Sequence, residues 1–290
     1  MSHNTENIAG LRWLHVDVFT HEPLSGNAVA VFPDAGALSE KAMLALTREL
    51  RIFEAIFLSD VASGHSLPAR IFTAEEELVF AGHPVLGAAA GLQHLRQQAD
   101  SRTWVFSLSG RDVPVAVSAG PAGYMVEMDQ GVAELGPALS DSVTGPLLDC
   151  LGLDHSHLSS GLPIVIASTG LPYAIIPVGP GGLAQAEVRG DRLQGELHRH
   201  GAKFVYVLDV ENFEGRSWDN LGQVEDIATG SAAGPAAAYL WHYCGAPAQL
   251  TIQQGSFTGR PSSMEVRRNP ETGHVLVSGG AVILAEGRFL

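Results

Sequence analysis

The chain reads as an α+β protein of two related lobes, and three observations carry that reading. The first is a glycine turn followed by an alanine-rich helical stretch, Phe80-Ala-Gly-His-Pro-Val-Leu-Gly-Ala-Ala-Ala-Gly-Leu92. The second is its return as Thr229-Gly-Ser-Ala-Ala-Gly-Pro-Ala-Ala-Ala-Tyr-Leu240. Gly82 aligned on Gly230 sets His83 on Ser231 and Leu92 on Leu240, an offset of 148 residues in a chain of 290. The third is 33 glycines and 16 prolines scattered along the chain, a spacing that calls for many tight turns and short strands. The length itself suggests about two domains. The proline is displaced between the copies, Pro84 against Pro235, so the repeat is inexact.

Taken in order, Leu11 to Thr20 alternates as a strand, and the turn His21 to Asn27 leads into a compact apolar strand, Ala28 to Phe32. Asn27 after Gly26 serves either the turn or a site. Ser39 is placed to cap a helix over Glu40 to Leu50. Ile52 to Leu58 is apolar except for Glu54, which belongs either on the solvent side of an edge strand or at a site. Ala69 to Thr73 is a further strand, and most of the acidic loop Glu75-Glu76-Glu77 is read as solvated, since three consecutive carboxylates cannot all face one core. The first repeat helix is expected from Pro84, in the first helical position, to about Leu95. Strands follow near 103–108 and 113–117. Pro121-Ala-Gly123 is read as the crossing into the second lobe.

Tyr124 to Met128 resumes strand patterning, and Ser140 to Leu151 is helical only in part because of Gly145-Pro146. Ile164 to Ser168 and Tyr173 to Pro177 form a second strand pair around Gly170. Phe204 to Leu208 is a buried strand, and Asp226 opens the turn into the second repeat helix. Strands near 250–252, 263–267 and 275–284 finish the chain. The expected division is a first lobe of residues 1–119, completed by about 280–290, and a second lobe of 120–279.

Composition narrows the function. A net charge of −14 and the lack of a basic cluster argue against nucleic acid. Hydrophobic content of 46% with 17% charged residues is that of a folded protein. The N-terminal Met-Ser-His-Asn-Thr-Glu-Asn lacks the regions of a signal peptide, and no apolar run reaches the ~20 residues of a membrane span, so a soluble cytoplasmic protein is expected. Cys150 and Cys244 make neither a disulfide framework nor a paired-cysteine metal motif. The close histidine pairs His155/His157 and His198/His200 lack the i, i+4 spacing of a zinc hydrolase, and no metal is expected. The two helix starts, by contrast, are suited to hold an anion such as a carboxylate.

The stretches VDVFTHEPLSGNAVAVF (16–32), EAIFL (54–58), RIFTAEEELVFAGHPVLGAA (70–89), EDIATGSAAGPAAAYL (225–240) and QGSFTGRPSS (254–263) resemble the PhzF-like family, which is named for an isomerase of phenazine biosynthesis and shares the diaminopimelate epimerase fold. The resemblance implies two pseudo-symmetric lobes, each a mostly antiparallel sheet curled around a central helix, with a small carboxylate substrate bound between them. It implies a cofactor-independent isomerase, working by acid/base proton transfer, and a homodimer. Carried over by motif, Glu54 is the principal base and then acid, its burial favouring the neutral form. His83 and Asp226 relay or fix protons, and Ser231 hydrogen-bonds the substrate, aided by backbone N–H groups around Gly82-His83 and Gly230-Ser231. Racemases of this fold use one cysteine per lobe. Here His83 and Ser231 stand at the helix entries, so a two-thiol reaction is not expected. Asn27-Ala28 departs from the Gly-Asn-Pro of many relatives, which bears on turn rigidity. The alternative reading is a non-catalytic protein that binds small acids.

Overall fold

The structure is a computed structural model that describes residues 8–59, 66–97, 100–219, 221–222 and 224–290. The N-terminal residues read above for a signal peptide, 1–7, lie outside that range. The chain divides into two compact units, residues 1–128 with 278–290, and residues 129–277.

In the first unit, β1 (Arg12–Val18) pairs antiparallel with β2 (Asn27–Phe32), and Ser39 caps α1 (Glu40–Leu50), accepting from the Ala42 N–H. Next come β3 (Glu54–Leu58), β4 (Leu67–Phe72) and the two-residue β5 (Glu77–Leu78), and then α2 (Gly82–Arg96). β6 (Arg102–Leu108), β7 (Arg111–Gly120) and β8 (Gly123–Asp129) form a meander. Pro121-Ala122 is therefore the tip of a hairpin inside this unit. β8 pairs with the C-terminal strand Val275–Arg288, which also pairs with β1. The ring β1-β2-β3-β4-β6-β7-β8-C-terminal strand is thereby closed, with the two-residue β5 flanking β4 outside it.

α2 lies at the centre of that ring, packed on β1, β2, β3 and β7. All residues from Gly82 to Gln93 are buried, which is why the helix is apolar on every side instead of amphipathic. Close approach explains its small residues: a Cβ at Gly87 would overlap Cγ1 of Val29 and lie 3.2 Å from Cγ2 of Val18. α1 covers the outside of the sheet over Phe32, Phe57 and Phe72, with Phe32 and Phe57 stacked at 4.5 Å.

The second unit repeats the wiring. It contains β9 (Glu134–Ala138), α3 (Asp141–Cys150), β10 (Val165–Ser168), β11 (Pro172–Val178), α4 (Gly182–Gln185), α5 (Leu193–Arg199), β12 (Phe204–Asp209), β13 (Glu214–Trp218), β14 (Glu225–Asp226), α6 (Gly230–Tyr243), β15 (Gln249–Gln254) and β16 (Ser262–Arg268). The successive pairings β1–β2, β2–β3, β3–β4, β4–β6 and β6–β7 run antiparallel, parallel, antiparallel, parallel, antiparallel. Those of β10–β11, β11–β12, β12–β13, β13–β15 and β15–β16 run in the same order. β5 flanks β4 as β14 flanks β13, and each precedes the buried helix of its unit. The half-length repeat of the sequence is thus a repeat of topology.

Two local expectations change. α2 begins at Gly82, so Pro84 is its third residue; the first turn has no intrahelical acceptor for its N–H groups, and a proline there costs nothing extra. α3 continues through Gly145-Pro146 because Leu147, Leu148 and Cys150 beyond it are fully buried in the core with Leu193, Leu197 and Trp218. Among the described residues no helix is long and apolar enough to cross a membrane.

Candidate active site

The two helix starts carry the expected polar residues in matching places: His83 is the second residue of α2, and Ser231 the second of α6. Their surroundings differ in each unit and are built from different neighbours.

In the first unit, Glu54 opens β3, which is not an edge strand. It lies between β2, parallel, and β4, antiparallel, and Glu54 is only 6% exposed. The parallel register sets Val29 beside Glu54, so the entry of β2 and the entry of β3 lie side by side. Asn27, the first residue of β2, is 1% exposed, and its Nδ2 is 3.5 Å from Nδ1 of His83. The loop ahead of it is fixed from below: the fully buried Asp17 accepts from the Leu24 N–H at 2.9 Å through Oδ2. Oε2 of Glu54 also lies 3.5 Å from Nδ1 of His83.

Burial holds the His83 imidazole down at about 3, against 6.5 ordinarily; a hydrogen bond with the Ala28 backbone opposes this without overcoming it. The Glu54–His83 contact therefore joins a carboxyl group to a neutral ring and is not an ion pair. His83 Nε2 is buried with no hydrogen-bond partner among the described residues. A buried, unsatisfied ring nitrogen beside a buried carboxyl is expensive for a fold to keep, and such groups cluster where chemistry is done.

In the second unit, β14 delivers Asp226 two residues before the turn into α6. Thr229 Oγ1 donates to Asp226 Oδ2 at 2.7 Å. Gln254, 1% exposed, binds the whole turn: its Nε2 donates to the Asp226 carbonyl at 2.8 Å and to Thr229 Oγ1 at 3.0 Å, and its Oε1 accepts from the Thr229 N–H at 3.1 Å. Tyr206 Oη donates to the same Oε1 at 3.1 Å. Burial, and then the Asp226 charge, push the Tyr206 phenol up, so it stays a hydrogen-bond donor. Gln130 Nε2 donates to the Gly230 carbonyl at 2.9 Å, fixing the first residue of α6. Ser231 Oγ lies 2.6 Å from Tyr173 Oη.

Each short strand ahead of a buried helix is clamped by an arginine that also covers an aromatic ring. Arg70 binds Glu77 through Nε at 2.7 Å and Nη2 at 2.5 Å, and lies 5.2 Å from the Phe72 ring centroid. Arg216 binds Glu225 through Nε at 2.8 Å and Nη2 at 2.7 Å, and lies 4.9 Å from Trp218 and 4.3 Å from Phe257. Its Nη1 donates to the carbonyls of Leu183 and Ala186. The second clamp is the more buried of the two, with Arg216 in the interior and Glu225 partly buried, and the first is half-exposed. Glu77 is thus the engaged member of the acidic run, and its hydrogen bond from Arg70 holds it below the usual carboxylate range.

Glu54 and His83 are brought together, as are Asp226 and the turn before Ser231. Sequence reasoning left Asn27 open between a turn and a site, and passed over Tyr173, Thr229, Gln130 and Gln254. A buried glutamine carries no motif; only a polar residue at the mouth of an apolar strand, as with Asn27 and Tyr173, could have signalled it. His157 Nδ1 lies 3.0 Å from Asp154 Oδ1 in a short 3-10 turn, so that histidine caps a turn. Cys150 lies in the core, where burial pushes its thiol up, and Cys244 ends α6; neither is at a helix start.

A family model described as phenazine biosynthesis-like protein matches residues 16–287. The trans-2,3-dihydro-3-hydroxyanthranilate isomerase of Pseudomonas aeruginosa is 33% identical over 96% of this chain and 98% of its own length. A solved structure of a predicted epimerase from Pseudomonas aeruginosa superimposes with a TM-score of 0.91 at 45% identity, covering 97% of this chain and 99% of that one. A Bacillus anthracis protein of the PhzF family shares the fold, with a TM-score of 0.82 at 21% identity over 97% of this chain and 99% of its own.

Proposed function

The chain belongs to the phenazine biosynthesis-like protein family, matched over residues 16–287, and from that premise we propose that it is an isomerase that moves a proton between two positions of a small carboxylate substrate. Both relatives compared at 30% identity or more carry isomerase or epimerase names, which supports the reaction class. The observation that carries the reading is the buried Glu54 beside a neutral His83 whose Nε2 has no hydrogen-bond partner among the described residues. A carboxyl group can accept a proton from one carbon of the substrate and return it to another, so the reaction balances without oxidant, reductant or cofactor. The neutral imidazole can donate to or accept from the same ligand without adding charge.

In the second unit, Ser231 Oγ and the N–H groups around Gly230 are suited to bind a carboxylate, and Asp226 fixes protonation states; the N–H groups around Gly82-His83 offer the equivalent place in the first unit. The protein acts as a homodimer, which sedimentation would check.

The test is deuterium incorporation, followed by NMR in deuterated water, with trans-2,3-dihydro-3-hydroxyanthranilate and simpler amino- and hydroxy-substituted ring carboxylates. Wild-type protein is expected to label one ring carbon, and Glu54→Gln to lose about 10²–10⁴-fold of that rate while still binding the ligand. Labelling at the wild-type rate by a folded Glu54→Gln protein would remove Glu54 as the base.

A further inference from the structure

We propose that Tyr173 is a positioning residue of this site: its phenol sets the direction of the Ser231 hydroxyl so that the serine proton faces the bound carboxylate. The inference rests on the reading of Ser231 as a substrate ligand, and it adds a residue that neither helix motif contains.

The geometry is specific. Tyr173 stands at the start of β11, one residue after Pro172, where the strand leaves the turn at Gly170. It is 2% exposed, and its ring stacks on Phe204 of the neighbouring parallel strand at 5.4 Å. The phenol thus reaches α6 from a rigid base, and Oη meets Ser231 Oγ at 2.6 Å, a short O–H···O hydrogen bond. α6 is held independently at the preceding residues by Gln130 on the Gly230 carbonyl and by Gln254 on the Thr229 N–H, so the serine backbone is fixed before its side chain is considered.

A hydroxyl has one proton and two lone pairs. Either oxygen can donate in this contact; in the proposed arrangement the phenol, the stronger acid of the two, donates and Ser231 Oγ accepts. That consumes a lone pair of the serine and leaves its O–H to donate elsewhere. Without the phenol, the serine hydroxyl is free to rotate, and it can turn back on nearby acceptors such as the helix backbone. A carboxylate at the start of α6 then has to reorient its donor on arrival. Preorganised donors avoid that cost. A purely structural tyrosine would need only its ring on Phe204, and Tyr173→Phe keeps the ring.

The experiment is calorimetric titration with 3-hydroxyanthranilate, the stable aromatic counterpart of the substrate named for the Pseudomonas aeruginosa relative, using wild type, Tyr173→Phe, Ser231→Ala and the double variant. Tyr173→Phe is expected to weaken binding about three- to tenfold with an unchanged melting temperature. Ser231→Ala should weaken it at least as much, and the double variant should match Ser231→Ala, because the tyrosine acts through the serine. An unchanged dissociation constant in Tyr173→Phe overturns the proposal, as does a double variant whose losses multiply. Absence of saturable binding by the wild type overturns the proposal together with the carboxylate reading on which it rests; an intact wild-type affinity with a silent Tyr173→Phe overturns the proposal alone.

Discussion

Acidification is expected to destabilise the first unit through His83. In the folded protein burial holds this imidazole at about 3, whereas in the unfolded chain it titrates near 6.5. Between those values the unfolded chain binds a proton that the folded chain refuses. The contribution is therefore complete above pH 6.5, falls as pH drops, and is exhausted near pH 3. At 1.36 kcal/mol for each unit, the loss is about 2 kcal/mol at pH 5 and about 4 kcal/mol at pH 3. Carboxylates titrate in the same range, so the assay is comparative: urea unfolding of wild type and His83→Gln at pH 7, 6 and 5. The glutamine does not titrate, and the wild type should lose about 2 kcal/mol more than the variant between pH 7 and 5. NMR of the His83 ring gives the same answer directly, with no protonation down to pH 5. Parallel stability profiles, or a ring that titrates near 6.5, would refute the burial argument and with it the neutral imidazole assigned to the site.

The packing and clamp arguments make further predictions. Gly87→Ala drives a methyl into Val29 and should cost about 1–3 kcal/mol, read from the urea midpoint, with partial recovery when Val29→Ala is added. Arg216→Gln leaves the partly buried Glu225 without its cation and the carbonyls of Leu183 and Ala186 without their donor, and should cost about 2–4 kcal/mol. Arg70→Gln, at the matching but half-exposed clamp, should cost no more than about 1 kcal/mol, and equal melting temperatures for the two variants would contradict the contrast in burial.

The legible part of this protein is the part written in local pattern. Ser39 and the apolar spacing after it give α1 from Glu40 to Leu50 with its cap, and the alternation at Val16 and Val18 gives β1. The spacing of the two glycine-entered helices marks the repeat, because a duplicated wiring requires the same turn chemistry at the same interval. Family motifs likewise point to Glu54, His83, Asp226 and Ser231, since a residue type at a helix entry or a strand start is visible in one dimension.

Other features depend on residues far apart in the chain. That Glu54 lies inside the sheet follows from β3 having a partner on both sides, which its own five residues do not encode. The Pro121-Ala122 turn reads the same whether it links two lobes or closes a hairpin; the pairing of Gly120 with Gly123, and of β8 with the C-terminal strand, decides between them. The continuity of α3 through Pro146 is decided by the core its far end enters. The sequence by itself determined the periodicities, the caps and the chemical types at the two helix entries, because those depend on neighbours along the chain. Tertiary structure alone decided which polar groups lose water and which partners they keep: the neutral state of His83, the hold of Gln254 on the Asp226 turn, and the phenol of Tyr173 on Ser231 are all set by side chains that come together only when the sheets close around their helices.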